Sequence, residues 1–275
     1  MSMIAAALST VVLGLPAVTQ VQLPQPVRET INRSCDGSCW PRLVQLPDGD
    51  PTAIVLYLHG HYGDEYQGMT EGIYNDVFGR LRRECLPRRW AYVTAHYGGN
   101  TWMGPLAEEG VAEVVEALRA RWPGRPLYLI GGSMGGTSAL IFAQRRPDLV
   151  DGVVALCPAA DIQAYYEYAL TSADPTLANI ASAIRIHYTE DGHDLTTELA
   201  GRSTLLRADR LTMPAVIGHG DADSVIPIEP TRRLVQALRG LGSLVLYTEY
   251  PGGGHDKPVT DVDWTAALDF VSARR

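Results

Sequence analysis

The sequence predicts an α/β protein built on a mostly parallel central sheet flanked by helices. Two observations carry that expectation. From residue 50 onward short apolar runs alternate with amphipathic segments, the rhythm of strands and crossover helices. Several of those runs are apolar without interruption, as strands covered on both faces must be. At 275 residues the chain has material for a substantial core.

Taken in order, Val21-Gln22-Leu23 and Leu43-Val44-Gln45-Leu46 read as strands at an antiparallel edge. The central strands are expected at 53–58, 90–95, 126–130, 152–156, 215–218 and 244–247. Residues 105–122 place Val111, Val114, Val115, Leu118 and Trp122 at helical spacing. The proline start and acidic first turn suit a helix N-terminus. Residues 230–240 repeat the pattern with Leu234, Val235 and Leu238, and 262–275 close the chain as an amphipathic helix. No strand is read between 158 and 212; a gap of that length implies a cap with its own helices rather than a bare loop. The expected organisation is a leading segment over 1–20, then one domain over 21–275 with a cap-like insertion at about 158–212.

The Gly131-Gly132-Ser133-Met134-Gly135-Gly136 turn sits between the 126–130 strand and a helix that ends near Pro147. A Gly-x-Ser-x-Gly at a strand-to-helix turn holds a serine hydroxyl clear of the sheet, with small neighbours where the chain crosses itself. An activated serine needs a base, an acid to orient the base, and N–H donors for the oxyanion. On a parallel sheet these groups come from loops at the carboxyl ends of successive strands. Candidates stand at each such place: His59-Gly60-His61-Tyr62-Gly63-Asp64, then His219-Gly220-Asp221-Ala222-Asp223, then Gly252-Gly253-Gly254-His255. Asp221 and Asp161 compete with Asp223 as the acid, and Asp221 is expected to bond backbone in its own turn.

These four motifs in fixed order resemble the α/β-hydrolase superfamily, and in particular serine esterases related to the prolyl oligopeptidase and dienelactone hydrolase groups. The resemblance covers roughly residues 20–275 and is weakest over the insertion. It implies the α/β-hydrolase fold, with Ser133 as nucleophile, His255 as general base and then acid, and Asp223 as orienting carboxylate. The pattern His-Gly-x-x-Asp selects Asp223. Backbone N–H groups of His61 and Met134 are implied as the oxyanion hole, with Tyr62 as an alternative to His61. Tyr62, Tyr66 and Trp102 lie on loops expected to reach the substrate. The cap tyrosines Tyr165, Tyr166 and Tyr168 either line the substrate wall or pack the cap onto the body.

Composition narrows the partners. A formal charge of -8, with no Lys/Arg cluster interleaved by aromatic residues, argues against a nucleic-acid surface. No stretch is long and apolar enough to span a membrane: residues 4–18 are interrupted by Gly14 and Pro16. They resemble a signal-peptide core but lack a preceding basic residue and a clean cleavage site. They therefore read as a signal-like segment or as a leading strand or loose start, which favours the cytoplasm over secretion while leaving the compartment open. Cys35 and Cys39 could close a small disulfide loop or remain thiols. His59 and His61 lack a third ligand at matching spacing, so neither metal nor cofactor is expected. The function implied is hydrolysis of small-molecule carboxylic esters through an acyl-enzyme on Ser133. The alternatives are a peptidase of the oligopeptidase type, an acyltransferase, and a non-catalytic binding protein on a hydrolase scaffold. Substrate identity and oligomeric state are not legible in the sequence.

Overall fold

A computed structural model describes residues 23–32, 39–69 and 75–273. Eight strands form one sheet in the order β1-β2-β4-β3-β5-β6-β7-β8. The first two, β1 (Val27–Asn32) and β2 (Cys39–Gln45), are an antiparallel edge, and β2 joins the rest antiparallel to β4 (Trp90–Ala95). From there β3 (Ala53–Leu58), β5 (Leu127–Gly132), β6 (Gly152–Leu156), β7 (Ala215–Gly220) and β8 (Val245–Tyr250) run parallel to β4.

The pleat explains why the central runs carry no polar alternation. In β3, Ile54, Leu56 and Leu58 enter one core layer while Ala53, Val55 and Tyr57 enter the other. Against the first layer pack α2 (Pro105–Arg121), α3 (Met134–Arg145) and α7 (Glu229–Gly240). Against the second pack α1 (Asn75–Cys85), through Val77, Phe78 and Leu81, and α9 (Trp264–Ser272), through Trp264, Leu268 and Val271.

Between β6 and β7 lie α4 (Ile162–Leu170), α5 (Pro175–Tyr188) and α6 (Leu195–Arg202). Asp161, Asp174 and Asp194 each cap one of these helices through a side-chain oxygen. Tyr165 and Tyr166 are buried in the first core layer, and Tyr168 donates to Ser224 O at 3.2 Å. A buried carboxylate, Glu108, fastens this segment to the body. It accepts from Arg145 and Arg146 at 2.9 and 2.7 Å and from the buried Arg202 at 2.8 Å. Burial alone would raise the Glu108 pKa, but the three guanidinium groups hold it below the ordinary range.

Some elements differ from the sequence reading. Strand β1 and helix α1 were not expected, although α1 sets Val77, Phe78, Leu81 and Cys85 at helical spacing. Val21 and Gln22 lie outside the described residues, and Leu23 is not in a strand. The C-terminal helix begins later than expected, at Trp264, where Asp263 accepts from Ala266 N as its cap; a short helix α8 (Lys257–Asp261) precedes it. The 1–20 segment and Cys35 are outside the described residues, as is the side chain of Cys39.

Candidate active site

Ser133 stands between β5 and α3 with φ 57 and ψ -124. This is a left-handed conformation that a residue with a side chain adopts at a cost of about 1–3 kcal/mol. Three hydrogen bonds hold it there: Ser133 N–H donates to Leu156 O at 2.8 Å, and Thr137 N–H and Oγ1–H both donate to Ser133 O at 2.9 Å. Helix α3 can start this close to the sheet because Gly135 and Gly136 lie in its first turn. A Cβ on Gly135 would fall on the Leu58 carbonyl oxygen, and one on Gly136 would lie 2.8 Å from Leu156 O.

His255 arrives on the loop after β8. Its Nε2 is 2.8 Å from Ser133 Oγ and its Nδ1 is 2.8 Å from Asp223 Oδ2. Asp223 follows β7 and its side chain is fully buried; its Oδ1 accepts from Val225 N and Ile226 N at 2.8 and 2.9 Å. Burial would raise the Asp223 pKa. Hydrogen bonds from His219 and His255, the His255 charge and the Ile226 N–H outweigh it and hold the carboxyl far below the usual range. The two loops are stitched together, with Ala222 N–H donating to Gly253 O at 2.9 Å and Gly252 N–H to Asp221 Oδ1 at 2.6 Å. Asp221 therefore bonds the neighbouring turn rather than its own. Asp161 is engaged elsewhere, capping α4 and accepting from Ser203 Oγ at 2.9 Å.

Among the described residues, no hydrogen bond uses the backbone N–H of His61 or Met134. Met134 opens α3, where an N–H has no partner within the helix. The Tyr62 N–H is occupied, donating to Asn100 Oδ1 at 2.7 Å. The imidazole of His61 is fixed on both sides. Its Nδ1 accepts from Trp102 Nε1 at 3.2 Å, and its Nε2–H donates to Asn179 Oδ1 at 3.0 Å. Tyr62 OH donates to the same Asn179 oxygen, so α5 is tied to the loop after β3. Burial lowers the His61 pKa.

A cavity of about 240 Å³ opens over Ser133. Tyr57, Phe78, Cys157 and Val259 line it on the body side, and Thr176 and Ile180 of α5 on the other. Tyr62 is among the lining residues, whereas Tyr66 and Trp102 are not. Tyr66 packs on the second core layer, and the fully buried Trp102 supports His61 from behind. Sequence reasoning missed Thr176, Ile180 and Asn179, because the register of α5 over the site is invisible in one chain. It also passed over His219, although that residue opens the very motif from which Asp223 was read. His59 is not paired with His61: its Nδ1–H donates to Gly60 O, and burial pushes its pKa down to about 4. Among the described residues no three His, Cys, Asp or Glu side chains converge as a metal cage requires, and no helix is long and apolar enough to cross a membrane.

Sheet order, elbow and the line from serine through histidine to carboxylate define the class: an α/β-hydrolase fold with a strained serine backed by an imidazole. The comparisons agree on the fold: the chain has the α/β-hydrolase fold and is similar to serine hydrolases built on it. The family model for serine aminopeptidase, S33, matches residues 108–200, a stretch that includes Ser133 but neither Asp223 nor His255. A monoacylglycerol lipase of Mycolicibacterium smegmatis is 25% identical over 247 residues, 78% of this chain and 84% of its own. The sn-1-specific diacylglycerol lipase ABHD11 of Mus musculus is 29% identical over 116 residues, 42% of this chain and 36% of its own. Among solved structures, a puromycin-hydrolyzing peptidase of Mycobacterium tuberculosis superposes with TM-score 0.68 at 18% identity over 90% of this chain. This chain spans only 40% of that peptidase. Est1E from Butyrivibrio proteoclasticus matches with TM-score 0.60 at 18% identity, over 88% of this chain and 95% of its own.

Proposed function

We propose that the protein is a serine hydrolase that cleaves small carboxylic esters with short acyl groups. The observation that carries this reading is the unbroken hydrogen-bonded line Ser133–His255–Asp223 opening into an apolar cavity. Ser133 Oγ attacks the ester carbonyl as His255 Nε2 takes its proton. Asp223, held ionised by its donors, keeps the His255 Nδ1–H turned toward it and stabilises the imidazolium that forms. The oxyanion is assigned to the N–H groups of His61 and Met134, which no other group on the described chain uses. Because Tyr62 N–H is spent on Asn100, the alternative donor is set aside. The alcohol leaves with the proton from His255, and water repeats the sequence on the acyl-enzyme.

Cavity size argues for the short acyl group. At about 240 Å³ it falls below the roughly 300–1,000 Å³ of drug-sized ligand sites. The lipase relatives support an ester as substrate, while the S33 match and the peptidase neighbour favour a second reading, removal of an N-terminal residue from a small amide. That reaction needs a carboxylate for the substrate ammonium, and among the described lining residues Asp256 is the one that carries a carboxylate.

Turnover of 4-nitrophenyl esters from acetate to palmitate, beside aminoacyl 4-nitroanilides and with Ser133→Ala as control, tests both readings. A peak at short acyl chains, with a loss on the order of 10⁴–10⁶ in the mutant, is the expected outcome. Faster cleavage of the anilides would move the assignment to a peptidase. Failure of a fluorophosphonate probe to label Ser133 in folded protein would remove catalysis altogether.

A further inference from the structure

We propose that His219 is a positioning residue for this reaction, holding the Asp223 carboxylate toward His255 from behind while Thr231 fixes its ring. The inference rests on the reading of Ser133, His255 and Asp223 as the catalytic line.

His219 lies near the end of β7 and is fully buried, as is Thr231 in the first turn of α7. Its position continues the row of Ala215 and Ile217, which face the first core layer. An imidazole where the strand pattern calls for an aliphatic side chain is costly unless its nitrogens are used. Both are. Nε2 lies 3.0 Å from Ile226 O and 3.2 Å from Asp223 Oδ2. Neither oxygen has a proton to give, so Nε2 carries one and shares it between the carbonyl and the carboxylate. Nδ1 lies 3.0 Å from Thr231 Oγ1, which is itself 3.2 Å from Pro158 O in the loop just after β6.

Asp223 therefore has donors on both oxygens: two backbone N–H groups on Oδ1, and two imidazoles on Oδ2. The arrangement has two consequences. The carboxylate cannot rotate away from His255 without breaking bonds on every side. The second imidazole also draws charge from Oδ2, which limits how strongly Asp223 holds the His255 imidazolium. Other titratable groups face this centre. Tyr165 of α4 and Cys157 after β6 are both pushed up by burial, and Asp256 sits next to His255. Glu249, opposite His219 on β8, is paired with Arg232.

The test is kcat and KM measured separately across about pH 5–9, with melting temperature recorded for every variant. His219→Leu removes the donor, and His219→Gln keeps an N–H near the same place. Thr231→Val removes the hydroxyl, and Thr231→Ser keeps it. With His219→Leu, kcat should fall about tenfold with KM nearly unchanged, since a hydrogen bond to a charged group has been lost. The acid limb of kcat/KM should move to higher pH by roughly half a unit, because an undamped carboxylate favours the imidazolium. Gln should recover most of both effects. Thr231→Val should give a smaller change of the same sign, absent in Thr231→Ser. A folded His219→Leu with wild-type kcat and acid limb would overturn the proposal. If that variant does not fold, Thr231→Val with an unchanged profile does so instead. Equal losses in Leu and Gln with an unmoved acid limb would reduce His219 to packing. Wild-type turnover abolished by Ser133→Ala secures the underlying reading independently, so the two can fail separately.

Discussion

Replacing Gly136 by alanine tests whether the closeness of α3 to the sheet sets the geometry at Ser133. A Cβ there would stand 2.8 Å from Leu156 O, 3.0 Å from Gly131 O and 3.1 Å from Leu156 N. All three are backbone atoms of the central strands β5 and β6, so no side chain can swing aside. Relief requires α3 to lift by roughly half an ångström. Overpacking of this kind costs about 1–3 kcal/mol, against a gain of up to about 1 kcal/mol from alanine's better helix propensity. The net loss of about 1–2 kcal/mol should lower the melting temperature by about 2–5 °C in a chain of this size. The same lift carries Met134 N–H and Ser133 away from productive positions. A misplacement of 1 Å can cost about 100-fold, so half of that should lower kcat about tenfold with KM little changed. The comparison is Gly240→Ala at the end of α7, where a Cβ meets nothing within 4 Å; that variant should be as stable as wild type or slightly more so. Thermal unfolding and ester kinetics on both variants decide the matter. A Gly136→Ala protein that melts with Gly240→Ala and turns over at the wild-type rate would refute the reasoning.

Three further outcomes are expected. Buried His59 has its pKa pushed down to about 4, against about 6.5 unfolded. The unfolded chain therefore takes up the proton first, so its contribution is whole above about pH 6.5 and is lost as the pH falls toward 4. That loss is on the order of 3 kcal/mol; melting temperature followed from pH 7 to 4 should fall, and His59→Phe should flatten much of the slope. Glu108→Gln leaves the buried Arg202 without its full counter-charge and should cost about 3–5 kcal/mol, read as a melting temperature lower by roughly 5–10 °C. Ile180→Ala widens the cavity from the α5 side, so the preferred 4-nitrophenyl ester should lengthen by a carbon or more; an unmoved optimum would place the acyl group elsewhere.

Chemistry at the centre was legible because it is written in local patterns. A serine between glycines at a strand-to-helix turn, an acid after β7 and a histidine after β8 each sit beside a strand whose apolar run is plain. Parallel order then brings those carboxyl ends together. The walls of the site were not legible for the opposite reason. Trp102 and Tyr66 share loops with residues of the site, yet one is buried behind His61 and the other turns to the second core layer. Sequence position places a loop, while packing decides which of its side chains face inward. Strand β1 escaped notice because an edge strand with polar residues such as Arg28 and Glu29 has no apolar run to betray it.

What the sequence determined by itself was the fold class, the six central strands and the order of the serine, the acid and the histidine. Period-2 and period-3.6 burial, and glycine where backbones cross, leave their mark residue by residue. Only the tertiary structure decided that His219 stands behind Asp223, that Asn179 ties α5 to the His61 loop, and that Ile180 faces Ser133. Each of these joins residues far apart in the chain, and their meeting depends on how helices seat on a sheet, a matter of shape that no local pattern encodes.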